Sequence, residues 1–314
     1  MEEALYSQFG FFNTDLVRSA KKGDFLTSPE VSIYFGKILR NWINNSCNLN
    51  KIVEIGSGTG SLIEQIGIKE ITAIELSSTA REELINKGIM THTNVNELIL
   101  EKSELVFGNE ILDNVPCSIG IYRDKVWYEK VVAIQENSFS YDIKPIRNEE
   151  LDWINKNNIV PNEDHELEIQ VNIDKFLNTV IKKISPKNIL LFDYGYEQAN
   201  REKRKYNSFL RTYKNHHLSV DPIEDPGNID ITYDVNFSSL SRELKTLGYD
   251  VTLKLQRNFL LENGFDIIFD ELQEKYLVAE GMEKLKINSE LNGLKAIVDS
   301  NGLGGFYCLN AQKL

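Results

Sequence analysis

The chain has 314 residues, 41% of them hydrophobic, and a formal charge of −12 at pH 7. That length can bury one large or two small cores, whereas the negative charge argues against a nucleic-acid partner, whose phosphates require Lys and Arg. The three cysteines, Cys47, Cys117 and Cys308, are scattered and odd in number, so we expect a reducing compartment, no disulfide framework and no metal site.

A soluble, cytoplasmic protein is expected from the rest of the composition. No apolar run reaches the roughly 18 residues that a membrane span needs. The first residues, Met1 to Ala4, lack the basic region of a signal peptide and the Arg-rich pattern of a transit peptide.

The first predicted element is a helix over residues 28–44, in which Ser28 is a suitable N-cap and Pro29 fits the first turn. Short apolar segments at 51–55, 71–76, 89–93 and 104–110 then alternate with helical segments. This alternation is typical of βαβ units. We therefore expect an α/β fold, a doubly wound and mostly parallel sheet with helices on its faces.

The pattern changes after Pro116. Residues 118–134 and 138–146 predict antiparallel ribbons, which turn at Arg123–Asp124 and near residue 136. A polar helical stretch (149–185), a buried strand (188–196), a long polar connection (197–230) and an amphipathic helix ending at Gly248 follow, and residues 251–256 and 304–313 supply a final pair of strands. We interpret the chain as one doubly wound domain with an insertion between its fourth and fifth strands.

A glycine-rich segment, VEIGSGTGSL (53–62), separates the first strand from the next helix. Its glycines permit a tight turn and close approach of a ligand. The dinucleotide fingerprint would need glycine where Ser61 stands, which disfavours a pyrophosphate cofactor. Glu75 ends the second strand, where a carboxylate can accept both hydroxyls of a ribose. This combination indicates S-adenosylmethionine in a Rossmann-like methyltransferase; the alternatives are a simple tight turn with a solvated Glu75, and a capping role for Glu54. The expected cofactor contacts here are Glu54, Gly56, Ser57, Gly58, Gly60 and Glu75.

The segment GNEILDNVP (108–116) places Asn109, Glu110 and Asp113 after the fourth strand, beside the expected position of the methyl group. Carboxylates there suit a cationic acceptor, and a guanidinium presents a planar fork that they bind bidentately. The methyl donor is already activated, so positioning supplies much of the catalysis and no histidine base is needed. In the alternative interpretation, Glu110 and Asp113 cap a helix or line a polar turn, and Asn109 satisfies loop backbone groups.

Several ordered motifs resemble the MidA family, which includes the mitochondrial complex I assembly factor with protein arginine methyltransferase activity. They are GDFLTSPEVSIYFG (23–36), VEIGSGTGSL, NEILDNVP, VWYEKVV, LLFDYGY and QRNFLLENG. The resemblance implies a class I methyltransferase that uses S-adenosylmethionine to dimethylate an arginine of a protein, in the mitochondrial case a complex I subunit. It also implies that Thr27, Ser28 and Glu30 belong to a segment that approaches the cofactor, and that Asn109, Glu110 and Asp113 form the catalytic segment. His92 matches a histidine near the expected adenine, with a purely structural role as the alternative.

We divide the chain into four segments: residues 1–50 are expected to cover the cofactor, 51–116 to bind it, 117–187 to form the insertion, and 188–314 to complete the sheet. A lid over the acceptor is expected at about 197–237. There the chain departs from the family pattern at Ser208, Phe209, Asp234 and Asn236, which leaves the acceptor open. Two alternatives therefore remain: a cofactor-binding assembly factor with little or no catalysis, and a small-molecule N-methyltransferase.

Overall fold

A computed structural model describes residues 1–13, 26–99, 102–136, 138–161, 163–203, 210–214, 217–218 and 221–314. In these ranges the strands are β1 (Ile52–Ile55), β2 (Ile71–Ile74), β3 (Met90–His92), β4 (Leu105–Asn109), β5 (Ser118–Arg123), β6 (Val126–Gln135), β7 (Ser138–Pro145), β8 (Glu166–Ile169), β9 (Asn188–Asp193), β10 (Gly195–Tyr196), β11 (Leu210–Lys214), β12 (His217–Leu218), β13 (Asp230–Tyr233), β14 (Val235–Asn236), β15 (Tyr249–Leu255) and β16 (Tyr307–Lys313). The α-helices are α1 (Glu2–Tyr6), α2 (Ser28–Val31), α3 (Tyr34–Ser46), α4 (Ser61–Ile66), α5 (Ser78–Asn86), α6 (Asn148–Lys156), α7 (Val171–Ile184), α8 (Phe237–Thr246), α9 (Gln256–Glu262), α10 (Phe265–Val278) and α11 (Gly281–Ala296).

The central sheet has the strand order β15-β16-β9-β4-β1-β2-β3. In this sheet the neighbouring pairs β3–β2, β2–β1, β1–β4 and β4–β9 are parallel, whereas β16 runs antiparallel to both β9 and β15. The chain moves outward from β1 to β3 and then continues with β4 on the other side of β1. The strand order thus reverses between β1 and β4, which is where open α/β sheets bind ligands. The predicted doubly wound, mostly parallel sheet is confirmed.

Strand β9 separates the two helical layers. Leu190 and Phe192 face the core built with α3, α4 and α9 to α11, whereas Ile189 and Leu191 face the core built with α7 and α8. Side chains alternate between the two faces of a strand. Because both faces of β9 are covered, its sequence is an almost continuous apolar run.

The inserted segment forms its own antiparallel sheet, in the order β7-β6-β5-β8, between β4 and β9 of the central sheet. The β5–β6 turn contains Asp124 and Lys125 in left-handed conformations, close to the predicted turn at Arg123–Asp124. The ribbons and their place in the chain were therefore predicted correctly. Among the helices in the described ranges, none is both long and apolar enough to cross a membrane.

Two of the predicted helical segments are wrong in detail. Residues 28–44 form α2 and α3 instead of one helix, because Ser32 is extended and its hydroxyl accepts a hydrogen bond from the Tyr34 N–H. Residues 149–185 contain α6 and α7 with β8 between them, since Leu167 and Ile169 belong to a strand that pairs with β5.

The predicted polar connection at 197–230 also contains regular structure. Strand β11 pairs antiparallel with β12 and β13. Ser208 and Phe209 lie outside the described residues. Helices α9 to α11, which connect β15 to β16, were not predicted at all.

Phe192 links the sheet to this helical layer, and its replacement by alanine should be costly. The ring is almost fully buried, and its centroid lies 5.2 Å from the rings of both Phe35 and Phe259. We expect Phe192→Ala to lower the free energy of unfolding by about 3–5 kcal/mol in chemical denaturation. Phe9→Ala, which removes a ring that is 79% exposed, is the control and should change it by less than about 0.5 kcal/mol. If Phe192→Ala and Phe9→Ala lowered the free energy of unfolding equally, the packing of Phe192 described above would be contradicted.

Candidate active site

A cavity of about 560 Å³ lies beyond the carboxyl ends of β1, β2 and β4. Its walls also include α1, the start of α2 and one side of α7. The predicted site residues that line it are Thr27, Glu54, Gly56, Ser57, Gly58, Glu75, Asn109 and Glu110. The structure thus brings eight of the predicted residues to one cavity at the reversal of the strand order.

The glycine segment turns sharply between β1 and α4. Gly56, Gly58 and Gly60 have φ values of 68°, 52° and 84°, in the left-handed region that favours glycine. The Gly56 N–H donates to the Ile74 carbonyl of β2 at 2.8 Å. A Cβ at Gly56 would lie 2.3 Å from the Ile111 side chain. Any residue larger than glycine at position 56 would therefore clash with Ile111 and displace the loop.

Glu75 holds the glycine loop from the neighbouring strand. Its two carboxylate oxygens accept the N–H groups of Gly58 and Ser77, each at 2.8 Å. Burial raises the pKa of Glu75, while these N–H groups oppose the shift. Each carboxylate oxygen has a further lone pair, so Glu75 can order the loop and accept ribose hydroxyls at once.

Glu54 is 2% exposed, and its Oε2 has no hydrogen-bond partner in the described part of the chain. Burial raises the pKa of this carboxyl well above its usual range. The Ser57 hydroxyl donates to the Glu54 carbonyl at 3.3 Å, which closes the turn. A buried acceptor without a partner in the cavity wall fits the amino and hydroxyl donors of S-adenosylmethionine.

Glu110 begins the loop after β4 in a left-handed conformation, with φ 52°. Its N–H donates to the Phe192 carbonyl at 2.8 Å, and its Oε1 accepts the Ser28 N–H at 3.1 Å and the Asn109 side-chain amide at 2.8 Å. Burial, opposed by these donors and reinforced by Asp113, raises the pKa of Glu110 to about 8. Such backbone strain in a non-glycine residue is typical of functional sites.

Asp113 lies behind the cavity wall instead of lining it. It is 4% exposed, its Oδ2 accepts a hydrogen bond from the Tyr194 hydroxyl, and its Oδ1 has no hydrogen bond within the described structure. Burial raises the pKa of Asp113 to about 6, against the opposing effects of Tyr194 and Arg211. Asp113 is therefore absent from the cavity wall, and its predicted catalytic role stays a prediction.

Three predicted cofactor contacts are also absent from the cavity wall. The Ser28 hydroxyl is buried against Gln256, and Gly60 lies under Leu84. His92 ends β3 with its Nδ1 3.9 Å from the Glu97 carboxylate, while its neighbour Thr93 lines the cavity. Adjacent residues at a strand end point to opposite sides, which is why Thr93 and not His92 faces the cavity.

Several contributors to the site were not predicted, among them Asp193 and Tyr6. Asp193, at the end of β9, is fully buried and accepts the N–H groups of Leu112, Asp113 and Tyr194. Burial and the neighbouring acids raise its pKa well above the usual range. Asp193 is a charged residue at the end of the apolar run of β9, and this feature of the sequence could have identified it. Tyr6 of α1 lines the cavity as well, and no pattern in so short a helix indicated it.

The sheet, the glycine loop and the acid after β2 define a Rossmann-like methyltransferase that depends on S-adenosylmethionine. The chain belongs to the MidA family: residues 35–253 match a family model described as an S-adenosyl-L-methionine-dependent methyltransferase.

Similar proteins agree with this assignment. The protein arginine methyltransferase NDUFAF7 homolog, mitochondrial, of Caenorhabditis elegans is 25% identical over 309 residues, which cover 83% of this chain and 70% of that protein. NDUFAF7 of Rattus norvegicus is 25% identical over 300 residues, with coverages of 81% and 67%. A COG1565 superfamily member of Burkholderia thailandensis, bound to S-adenosyl-homocysteine, shares the fold with a TM-score of 0.85 at 22% identity, over 99% of this chain and 86% of that one.

Glu110→Gln should stabilise the protein at alkaline pH. Folding raises the pKa of Glu110 from 4.5 to about 8. The carboxyl therefore does not reduce the free energy of unfolding below about pH 4.5, reduces it increasingly between pH 4.5 and 8, and reduces it by the full amount above pH 8. Glutamine keeps an oxygen for Ser28 and Asn109 but carries no charge. We expect urea unfolding to show a gain on the order of 2 kcal/mol at pH 8.5 and almost none at pH 4.5.

The control for that comparison is Glu70→Gln, which replaces an exposed carboxylate and should leave stability unchanged at both pH values. A gain for Glu110→Gln that is the same at pH 4.5 and 8.5 would contradict the buried-acid description of Glu110.

Proposed function

We propose that this methyltransferase transfers methyl groups to the side chain of arginine in a protein substrate. The observation that carries the proposal is the Glu110 carboxyl in the wall of the cofactor cavity, with Asn109 beside it. The names of the mitochondrial relatives, protein arginine methyltransferases, support the same acceptor. A complex I subunit as substrate and a cytoplasmic location both remain predictions from the sequence.

The acids of the site suit a cation. Burial raises the pKa of both Glu110 and Asp113, so a positive charge bound beside them would offset the cost of ionising them. A guanidinium near Glu110 would favour its ionised form and expel the proton. Binding of the cation would thereby create the carboxylate that holds it.

Bound S-adenosylmethionine supplies an activated methyl group, so the protein must orient a nitrogen of the acceptor and remove its proton. Glu110 fits both tasks. Its Oε1 is fixed by two N–H donors, and the other oxygen remains available to a guanidinium N–H. Once the methylated nitrogen becomes acidic, the ionised Glu110 carboxylate beside it can accept its proton.

Asp113 and Tyr194 would complete the acceptor side. Tyr194 contacts both the guanidinium of Arg211, 4.5 Å from its ring centroid, and the ring of Phe306, at a centroid distance of 5.4 Å. Its hydroxyl in turn fixes the Asp113 carboxylate. Asp113 would therefore stabilise the bound cation over a distance while Glu110 contacts it.

The direct test is transfer of tritiated methyl groups from S-adenosylmethionine into proteins of an extract that lacks this gene product, followed by hydrolysis and amino-acid analysis. We expect label in methylarginine. Glu110→Gln should lower transfer at least about 100-fold while it retains S-adenosylhomocysteine binding. Glu75→Ala should lose both cofactor binding and transfer, and Glu70→Ala, at an exposed position, should lose neither.

Each other outcome would overturn part of the proposal. Label in another amino acid or in a small molecule would change the acceptor. Cofactor binding without any transfer would favour an assembly factor with no catalysis. Full transfer by Glu110→Gln would remove Glu110 from the mechanism.

A further inference from the structure

Gln256, the first residue of α9, is fully buried and directly behind the cavity wall. Its Nε2 donates to the Ile297 carbonyl at 3.0 Å and to the Ser28 hydroxyl at 3.1 Å, while its Oε1 lies 3.3 Å from the same hydroxyl. The Ile297 carbonyl can only accept, which fixes the orientation of the amide. Gln256 therefore joins the end of α11 to Ser28, 228 residues away in the chain.

Ser28 carries this connection to the active site. It is fully buried, and its hydroxyl contacts Gln256 while its N–H donates to Glu110 Oε1 at 3.1 Å. The side chain and the backbone of one residue thus bind two different partners. A shift of the hydroxyl would move the N–H that the Glu110 carboxylate accepts.

Helix α2, which begins at Ser28, has only four residues and needs such support. The Thr27–Glu30 capping box holds its start, and Gln65 donates to the Pro29 carbonyl at 2.6 Å. Gln256 provides the third contact, through its hydrogen bonds with the Ser28 hydroxyl. The family model ends at residue 253, so this support comes from a part of the chain that the model does not cover.

We propose that Gln256 is a positioning residue, which holds Ser28 so that its N–H stays directed at the Glu110 carboxylate. In this way helices α9 to α11 complete the active site without contacting the ligand. The proposal rests on the proposed function for its effect on catalysis, but its effect on Glu110 requires no acceptor.

The consequence concerns the ionisation of Glu110. A directed N–H stabilises the carboxylate, and its loss should make the carboxyl harder to ionise. Among the described residues, the other acids that face Glu110 are Glu30, Asp113 and Asp193. All three are retained when Gln256 or Ser28 is replaced, so a change in the ionisation of Glu110 can be assigned to the Ser28 contact.

The test introduces Glu110→Gln into three backgrounds: the unaltered chain, Gln256→Leu and Arg257→Leu. Arg257 is the matched control because it donates to the Val298 carbonyl at 2.8 Å. It therefore anchors the same end of α11 but does not touch Ser28. In each background, urea unfolding from pH 5 to 9.5 measures how much Glu110→Gln changes stability. The pH dependence of that change gives the midpoint at which Glu110 ionises in the folded protein.

We expect Gln256→Leu to raise this midpoint by about one pH unit, and Arg257→Leu to leave it unchanged. At pH 7, methyl transfer by Gln256→Leu should fall about tenfold and recover at higher pH, with S-adenosylhomocysteine binding unaltered. Ser28→Ala, which removes the hydroxyl but keeps the N–H, should raise the midpoint too. It decides the question if Gln256→Leu does not fold.

Equal midpoints for Gln256→Leu and Arg257→Leu, with only stability reduced, would overturn the proposal and leave Gln256 a structural residue. If the unaltered chain methylates no arginine, the proposed function fails. The ionisation midpoint, which involves no acceptor, would still decide the role of Gln256.

Discussion

The active site depends on one unfavourable placement, that of the Glu110 carboxyl in a cavity where burial disfavours its charge. The residue also has a left-handed backbone, which an L side chain rarely adopts. Both features cost stability, and both are typical of sites at which the fold keeps a group ready for a ligand. A cationic acceptor would remove the electrostatic part of this cost, which is why the same feature indicates both the site and its ligand.

The neighbouring strand β9 supports this placement. The Phe192 carbonyl accepts the Glu110 N–H, and Asp193 accepts three N–H groups, two of them in the loop after β4. Because β4 and β9 are adjacent and parallel, this support requires only the ends of two strands. The inserted sheet lies between them in sequence but not in the central sheet.

The sequence was sufficient for the parts of the fold that repeat. The strands β1 to β4 follow from short apolar runs at regular spacing, and the glycine loop follows from left-handed positions that only glycine occupies easily. Prediction of the helix over 28–44 failed because a single hydroxyl, that of Ser32, stabilises a local turn that helical periodicity does not reveal. The strand β8 was missed because its four residues, between two helices, are too few to show the alternation of apolar and polar residues that indicates a strand.

Contacts between distant residues limited the prediction of the site. Asn109 and Glu110 could be placed at the cavity because polar side chains after a buried strand are unusual, but the side on which Asp113 lies depends on how the loop returns to Tyr194. Gln256 could not be found from local pattern, since its significance arises only from Ser28 and Ile297. Glu54, Glu75 and Glu110 could therefore be placed at the cavity from local pattern, whereas the residues that orient them could not.

The measurement that tests the central claim most directly is the number of protons released when an arginine-containing peptide binds the protein with S-adenosylhomocysteine. It is obtained by calorimetric titration at pH 7 in buffers of different ionisation enthalpy. With a Glu110 pKa of about 8, the account predicts release of nearly one proton per peptide, and almost none for Glu110→Gln. Binding by the unaltered protein without proton release would contradict the claim that a cation ionises Glu110.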